Sequence, residues 1–588
     1  MSFCATLPKH VSRMVAIFFL FTAASAGHAA ITFTNPAALN SNATTDTGQD
    51  FYPRIATDRD DTYVVVWQSR NTVGGPAGSD YDIFFSRTTD DGAVWSNVAT
   101  LNDGASADTA EDEHPDIATD GTTWIAVWES NRSAGTNDGT DTDIFFSRST
   151  NGGATWSAAA PIHSNATSDL VDDDRDARIF TDRAGTWICA WSSEAQLVNN
   201  GQFDSDIMFV RSTNDGQTWS APAYLNSNSA NATGQDFAPY LGVGHDGTWV
   251  AVWGTTDTLG KAVSPDNDLL YARSTNDGQT WSTAAFLNAD AATDQGEVPI
   301  GNDAGARVAQ VGAEKWIATW HRFFAGGAAA VYSVESTDDG QTWSPKRVLD
   351  DPSGVGKAAA SSASDMEWEF DPWDLPDPEP DPWFAFDTGD ESLPPPDFTD
   401  PFDLPDFPEP RQVKFGSGND YDIRLKISTD QGATWTDSEF VNSNAFSDSG
   451  DDESSVSVMD QDRNIIIVWE SFDTLGNTIG GDSDIVFARA SLAGFTELLT
   501  PNGGEKWKRG TKKTIKWVTD QSPTQKVRLN LLRNGNKVAT IAANTKNDGK
   551  FKWKVPNNLP KGGGYQVEIL PKSTVGDNDR SYYTFSLK

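Results

Sequence analysis

The segment Ser212–Trp219, with the sequence STNDGQTW, occurs again without change at Ser274–Trp281. Four related segments lie at Thr88–Trp95, Ser149–Trp156, Ser336–Trp343 and Ser428–Trp435. The tryptophans that close the six segments follow one another at intervals of 61, 63, 62, 62 and 92 residues. Self-similarity at a fixed period of this size is typical of repeat proteins, so the chain is organised in tandem units.

A second series of tryptophans has the same period. It ends β-branched or apolar runs such as Val64–Trp67 and Ile465–Trp469, and its members are Trp67, Trp128, Trp191, Trp253, Trp320 and Trp469. Each unit contains four short runs bounded by Gly, Asn and Asp, which in the second unit are Asp116–Thr119, Thr123–Trp128, Asp143–Ser149 and Trp156–Ile162. Four antiparallel strands repeated around an axis form the blades of a β-propeller.

The N-terminal stretch 31–40 (ITFTNPAALN) resembles the strand that follows each segment, as at 219–226 (WSAPAYLN). We therefore expect it to supply the outer strand of the last blade, whose other three strands come from about 456 to 489. Six segments and a last unit without one favour seven blades, with six as the alternative. The irregular unit contains residues 365–410, in which 16 acidic residues and 12 prolines predict a loosely attached insertion.

Charge separates the chain into two parts. The 588 residues contain 44 Lys+Arg and 84 Asp+Glu, which gives a net charge of −40, yet residues 495–588 contain 18 basic and 7 acidic residues. An acidic propeller repels phosphate, which excludes nucleic acid as its partner. The two cysteines, Cys4 and Cys189, cannot form a disulfide framework or a Cys-based zinc site.

Residues 1–30 have the pattern of a signal peptide. Lys9 and Arg13 precede an apolar run from Val15 to Ala24, and small residues follow. This predicts a secreted, extracellular protein, with the periplasm as the alternative location. The other interpretation of the apolar run is a buried N-terminal helix. No later segment is long and apolar enough to span a membrane.

The six segments resemble the Asp-box, the repeat of the sialidase superfamily. The resemblance implies a propeller over residues 31–494. Within each segment an Asp or Asn suits the acceptance of backbone N–H groups, a glycine allows positive φ, and the tryptophan buries a large ring. The segment itself is therefore expected to be scaffold, and the function has to be sought elsewhere.

The resemblance also implies what a sialidase site would need: three arginines around the substrate carboxylate, a Tyr nucleophile, a Glu that activates it and an Asp acid/base. The candidate arginines are Arg54, Arg178 and Arg322. Arg54 follows a proline in Phe51–Ile55, where the family has Arg-Ile-Pro. Candidate acids and a tyrosine are Glu129, Glu194, Glu470 and Tyr421. The alternative for each arginine is a surface or inter-blade ion pair.

Pairs of the form Asp-x-Asp stand before the third strands, at Asp80/Asp82, Asp141/Asp143, Asp204/Asp206, Asp266/Asp268, Asp420/Asp422 and Asp482/Asp484. Clustered carboxylates could bind Ca²⁺, but their regular recurrence favours carboxylates that cap loop N–H groups. We therefore predict no cofactor and keep Ca²⁺ as the alternative.

Residues 495–588 read as a small Ig-like β-sandwich, because alternating runs such as Lys526–Leu532 and Lys550–Val555 are typical of half-buried strands. Thr500–Trp507, Phe551–Pro556 and Tyr583–Leu587 resemble the Kre9/KNH-like Ig-like domain of the Ser-Thr-rich GPI-anchored family. The resemblance implies an appended module of exported proteins and carries no catalytic residue.

Two functions remain open. The first is non-catalytic binding of a glycan or of a cell-surface or wall component. The second is an exo-α-sialidase-type glycoside hydrolase. Acidic loops such as Thr109–Glu113 and Gly450–Glu453 disfavour an anionic substrate unless cations neutralise them. A further hypothesis is that the acidic insertion docks on the basic sandwich.

Overall fold

A computed structural model describes residues 13–16, 33–43, 48–70, 80–102, 109–132, 141–164, 173–194, 204–226, 234–244, 246–259, 267–288, 301–312, 314–324, 328–350, 423–426, 439–442, 450–460, 464–475, 482–491, 496–501, 505–519, 526–533, 536–571, 579–580 and 585–588. The expected insertion, Tyr421, the segment Ser428–Trp435 and, apart from residues 13–16, the expected signal peptide lie outside these ranges.

The described residues form 36 strands. Strands β1 (Arg13–Ala16) and β2 (Ala37–Ala38) come first. Blade 1 contains β3 (Asp50–Thr57), β4 (Tyr63–Ser69), β5 (Asp82–Thr88) and β6 (Ala99–Thr100). Blade 2 contains β7 (Asp112–Thr119), β8 (Trp124–Ser130), β9 (Asp143–Ser149) and β10 (Ala160–Pro161). Blade 3 contains β11 (Asp174–Thr181), β12 (Trp187–Ser193), β13 (Asp206–Ser212) and β14 (Ala223–Tyr224).

Blade 4 contains β15 (Asp236–Val243), β16 (Trp249–Thr255), β17 (Asp268–Ser274) and β18 (Ala285–Phe286). Blade 5 contains β19 (Gly301–Gln310), β20 (Trp316–Phe324), β21 (Ala328–Ser336) and β22 (Arg347–Asp350). Blade 6 contains β23 (Ile423–Lys426) and β24 (Glu439–Phe440), and blade 7 contains β25 (Asp452–Met459), β26 (Asn464–Ser471) and β27 (Asp484–Ser491).

The C-terminal strands are β28 (Thr496–Thr500), β29 (Lys506–Trp507), β30 (Lys512–Thr519), β31 (Lys526–Arg533), β32 (Asn536–Lys546), β33 (Lys550–Lys554), β34 (Gly562–Pro571), β35 (Asp579–Arg580) and β36 (Phe585–Leu587). They form a three-stranded sheet, β28-β30-β33, and a larger sheet, β29-β36-β34-β31-β32, in which β35 also pairs with β34. The core of this region contains Trp507, Trp517, Trp553 and Tyr565.

Blades 1 to 5 are antiparallel sheets with their strands in chain order. In blade 7 the fourth position is taken by β2, where Ala37 pairs with Phe487 and Ala38 with Val486. The N-terminal region therefore supplies the outer strand of the last blade, as predicted. In blade 6, β23 pairs with β24 and, in parallel, with β1. The described residues before 495 thus form seven sheets, and the all-β propeller with a C-terminal Ig-like sandwich is confirmed.

The second strand of each complete blade is apolar on both faces because it lies between two neighbouring blades. Every residue of β4, β8, β12 and β16 is buried. The second-strand tryptophans, Trp67, Trp128, Trp191, Trp253, Trp320 and Trp469, are fully buried. A tryptophan of this kind removes roughly 200 Å² from water, and at about 25 cal/mol per Å² that stabilises the fold by about 5 kcal/mol before entropic costs.

The Asp-box segments link each blade to the one before it. In blade 3, Oδ1 of Asn214 accepts the backbone N–H of Thr218 at 3.0 Å and so holds the turn. The Trp219 ring meets Phe146 of blade 2 edge to face, with centroids 5.8 Å apart. Nε of Arg148, in the third strand of blade 2, donates to the carbonyl of Asp215 at 2.5 Å. These contacts give the segment a structural role.

No helix among the described residues could cross a membrane.

Candidate functional site at the propeller axis

The first strands of the blades lie side by side around the axis, with β25, β3, β7, β11, β15 and β19 in contact in that order. Each of these six first strands contains a β-bulge, at which its register with the second strand of the same blade shifts. The bulge lies at the equivalent position in all six strands. The residue at this bulge has a positive φ, between 48° and 64°, and is Ser454, Tyr52, His114, Asp176, Ala238 or Gly305. Bulges re-aim side chains and occur often beside functional sites, so the shared bulge marks the axis as the candidate site.

A side chain from the preceding blade binds the backbone N–H of the bulge residue. Oε2 of Glu470 accepts the N–H of Tyr52 at 3.0 Å. Oε1 of Glu129 accepts the N–H of Asp176 at 2.6 Å. In the same way the N–H groups of His114 and Ala238 donate to Gln68 and Ser192. All four acceptors directly follow a second-strand tryptophan, so this position connects the ring of bulges from blade to blade.

His114 carries positive charge at the rim of the site. Its Nδ1 lies 3.1 Å from Oε2 of Glu129, and its ring contacts Tyr52 edge to face with centroids 4.7 Å apart. Burial alone would lower the pKa of His114. The charge and hydrogen bond of Glu129, with the charges of Glu113 and Asp176, outweigh burial and raise this pKa to about 9. The imidazole is therefore protonated at neutral pH.

Two residues after each bulge, the first strand pairs with the second strand of its blade again. The residues at these positions form a ring around the axis. They are Arg54, Asp116, Arg178, Tyr240, Arg307 and Val456, from blades 1 to 5 and 7. The three arginines share one conformation, in which Nη1 donates to the carbonyl of the preceding residue, at 3.0 Å for Arg54, 3.2 Å for Arg178 and 3.1 Å for Arg307. We call these six residues the axial ring.

Tyr240 is the aromatic member of the axial ring. Cζ of Arg307 lies 4.7 Å from the centroid of the Tyr240 ring, and the charges of Arg54, Arg178 and Asp116 also act on its hydroxyl. Burial raises the pKa of Tyr240, although the three arginines oppose that change. Asp116 also joins blades 2 and 3, because its Oδ2 accepts the N–H of Ile179 at 2.9 Å.

The three arginines proposed from the sequence occupy two different environments. Arg54 and Arg178 are in the axial ring, with 9% and 7% of their surface exposed. Arg322 lies in the second strand of blade 5, where its Nε and Nη2 bind Oδ1 and Oδ2 of Asp303 at 2.6 and 2.7 Å. This bidentate ion pair is buried and lies within blade 5, so it differs from the surface or inter-blade pair considered from the sequence. The third arginine of the axial ring is Arg307, which the sequence reasoning missed.

A repeat signal could have found the axial ring. Arg54, Asp116, Arg178 and Tyr240 follow one another at intervals of 62 residues, the period already visible in the tryptophans. Of the candidate glutamates, Glu129 and Glu470 bind bulge N–H groups, as described above. The backbone N–H of Glu194 donates to the carbonyl of Asp173 at 3.1 Å.

The Asp-x-Asp pairs belong to a different inter-blade contact. The second Asp of the pair begins the third strand, and a buried asparagine bridges it to the Asp that begins the next blade. Nδ2 of Asn226, for example, donates to Asp206 and to Asp236, both at 2.7 Å. Asn40, Asn102 and Asn288 bridge their aspartates in the same way, and Asn442 binds Asp452. We call this contact the Asn bridge.

Comparison with known proteins gives the following similarities. The family model of the Kre9/KNH-like N-terminal Ig-like domain matches residues 500–587. A search of curated proteins found no match. Among solved structures, a Hadza microbial sialidase has 19% identity and a TM-score of 0.35, over 54% of this chain and 61% of that one.

Two further solved structures cover more of the chain. A leech intramolecular trans-sialidase has 11% identity and a TM-score of 0.40, over 80% of this chain and 70% of that one. An alpha-L-arabinofuranosidase of Fusarium graminearum has 12% identity and a TM-score of 0.38, over 81% of this chain and 98% of that one. Residues 500–587 therefore match a Kre9/KNH-like Ig-like domain, and the solved structures to which the chain shows similarity include sialidases and another glycoside hydrolase.

Proposed function

We propose that the axial ring binds the carboxylate of an anionic glycan, such as a terminal sialic acid, without cleaving it. The observation that carries this proposal is the equivalent placement of Arg54, Arg178 and Arg307 on the first strands of blades 1, 3 and 5, with Arg307 over the ring of Tyr240 in blade 4. A planar guanidinium can bind a carboxylate through two parallel hydrogen bonds, which the ammonium of lysine cannot do.

Electrostatics supports this placement. Residues 1–494 contain 26 Lys+Arg and 77 Asp+Glu, so most of the propeller surface repels an anion. The axial ring contains three arginines and one carboxylate, that of Asp116, so it is net positive, while the charge of His114 at the rim is paired with Glu129. An anionic ligand is thus disfavoured over the surface and favoured at the axis, which gives the site specificity.

The environment of Tyr240 argues against catalysis. A tyrosine nucleophile must lose its proton, either to a neighbouring base or through a lowered pKa. Burial raises the pKa of Tyr240 and outweighs the opposing charge of Arg307, and the charge of Asp116 adds to the rise against those of Arg178 and Arg54. Hydrolysis of an α-sialoside is the second candidate function, because a tyrosine does lie beside three arginines; it requires an activating base in addition.

The C-terminal domain supports an extracellular ligand. Kre9/KNH-like domains occur in secreted and cell-wall proteins. We therefore propose that the protein is exported and that the glycan belongs to a cell surface or wall.

Calorimetric titration of the full chain with 3′-sialyllactose, and with lactose as the neutral control, tests the proposal. We expect binding of 3′-sialyllactose only, and a loss of at least about tenfold in affinity for each of Arg54→Ala, Arg178→Ala and Arg307→Ala, since each removes a charge-assisted contact. Arg211→Ala, on the Asp-box side of blade 3, is the matched control and should bind as the wild type does. Equal affinity for lactose, or equal losses in the control, would refute the proposal.

A second assay separates binding from catalysis. Incubation with 4-methylumbelliferyl sialoside should release no fluorophore. Turnover that is lost in Tyr240→Phe would establish the hydrolase instead and would show that the axial ring is an active site.

A further inference from the structure

One inter-blade contact differs in kind from all the described Asn bridges. Between blades 2 and 3 the bridging position is occupied by His163, which follows β10 as Asn226 follows β14. Nε2 of His163 lies 3.0 Å from Oδ2 of Asp174 and 3.5 Å from Oδ1 of Asp143. These aspartates are the counterparts of Asp236 and Asp206.

The substitution changes what the bridge can do. The amide of an asparagine has two N–H groups and can donate one to each carboxylate, whereas a ring nitrogen has at most one. Nε2 nevertheless faces both carboxylates. Neither side-chain oxygen of Asp174 accepts a hydrogen bond from the described residues. In an Asn bridge, the two amide hydrogens lie between the two carboxylates. Here the same space is bounded by the two buried carboxylates and the imidazole of His163.

The distances suit a metal ion at that point. Ligand atoms about 2.0–2.2 Å from a tetrahedral zinc ion are separated by roughly 3.4 Å, which is close to both measured separations. One ligand atom from each of Asp143, His163 and Asp174 can be chosen so that all three lie within 4.8 Å of one another. The three side chains are buried, as metal ligands in a structural site generally are.

The surroundings add negative charge. Two further carboxylates, those of Asp141 and Asp173, lie within two residues of Asp143 and Asp174 along the chain. An excess of carboxylates around one imidazole favours a divalent cation over a single proton. Because one ligand is nitrogen, the set suits zinc and related first-row metals better than Ca²⁺, which takes oxygen ligands.

We propose that Asp143, His163 and Asp174 form a binding site for a divalent transition metal, with Zn²⁺ as the reference ion. The metal would join the third strand of blade 2 to the first strand of blade 3. Asp174 lies two residues before the bulge at Asp176, so the site would also support the axial ring from behind.

The chain itself supplies the matched variants. His163→Asn restores the side chain found at the other described bridges, so the variant should fold and lose the metal site. Asn226→His places an imidazole between Asp206 and Asp236, so it should create a second site. Neither variant changes the axial ring.

The test uses the full chain, freed of metal with a chelator and titrated with Zn²⁺ by calorimetry and thermal unfolding. We expect about one Zn²⁺ per wild-type chain with an unfolding temperature raised by several degrees, no such rise in His163→Asn, and about two Zn²⁺ in Asn226→His. A wild type that takes up no Zn²⁺, or a His163→Asn variant stabilised as much as the wild type, would overturn the proposal. Either result would leave His163 alone as the group that joins the two aspartates.

Discussion

At the scale of single residues, one sequence position serves different purposes in different blades. In four blades the residue after the second-strand tryptophan binds the bulge of the next blade, and in blade 2 this residue, Glu129, also binds the His114 side chain. Arg322 lies two residues after its tryptophan and is used for an ion pair with Asp303. The chemistry of each side chain is therefore decided by its blade partners, which the local sequence does not reveal.

Because of His114, we expect the free energy of unfolding to fall as the pH rises through the alkaline range. Its folded pKa, about 9, lies above the ordinary value of 6.5, so its stabilisation is complete below pH 6.5 and disappears as the pH rises through 9. Since a third of the side chain is exposed to screening solvent, we expect the effect to be about 1–2 kcal/mol.

Urea unfolding at pH 6 and pH 10 measures this dependence. Glu129→Gln keeps an acceptor for the N–H of Asp176 but removes the charge that raises the pKa, so the variant should lose less stability than the wild type between the two pH values. An equal loss in both proteins would contradict the assignment.

Arg322 should matter for stability and not for the ligand. Arg322→Ala leaves Asp303 buried without its bidentate partner, and breaking such a pair costs about 3–5 kcal/mol. Chemical denaturation should show this loss, while the residual folded protein should bind 3′-sialyllactose with wild-type affinity. A variant of unchanged stability, or one that is fully folded but unable to bind, would disprove this division of roles.

At the scale of the elements, the Asp-box segment is a spacer between blades. Its last glycine has positive φ and lies against the second strand of the preceding blade. In blade 2 a Cβ at Gly153 would lie 2.5 Å from Cγ2 of Val64, whereas at the adjacent Gly152, with a similar φ, the nearest atom is the flexible guanidinium of Arg87 at 3.2 Å. Asp91 and Asp215 hold the position of Gly152 in other blades, with φ of 56° and 57°.

The two glycines of this turn therefore differ in what they tolerate. Gly153→Ala should destabilise the protein by about 1–3 kcal/mol, because the blades cannot separate freely to admit the methyl group. Gly152→Asp, which copies the other segments, should cost less, about 0.5–1 kcal/mol, because aspartate tolerates this positive φ and the guanidinium of Arg87 can move. Thermal unfolding of the two variants provides the comparison, and similar losses in both would contradict the spacer role.

At the scale of the whole molecule, the parts that could be predicted from sequence are those that repeat. The tryptophans, the Asp-box segments and the closing strand at 37–38 recur with little change, so the propeller and the strand that closes it could be predicted from the sequence. The bulges were not, because Tyr52, His114 and Ala238 share a backbone conformation and no chemistry. The same holds for the third arginine, since Arg307 is revealed only by the register of its strand.

The measurement that tests the central claim most directly is a crystal structure of the full chain with bound N-acetylneuraminic acid. We predict that the ligand carboxylate lies at the axis in contact with the guanidinium groups of Arg54, Arg178 and Arg307 and that the anomeric carbon lies near Tyr240. A ligand bound elsewhere, or an axial ring that remains free of ligand at saturation, would contradict the account.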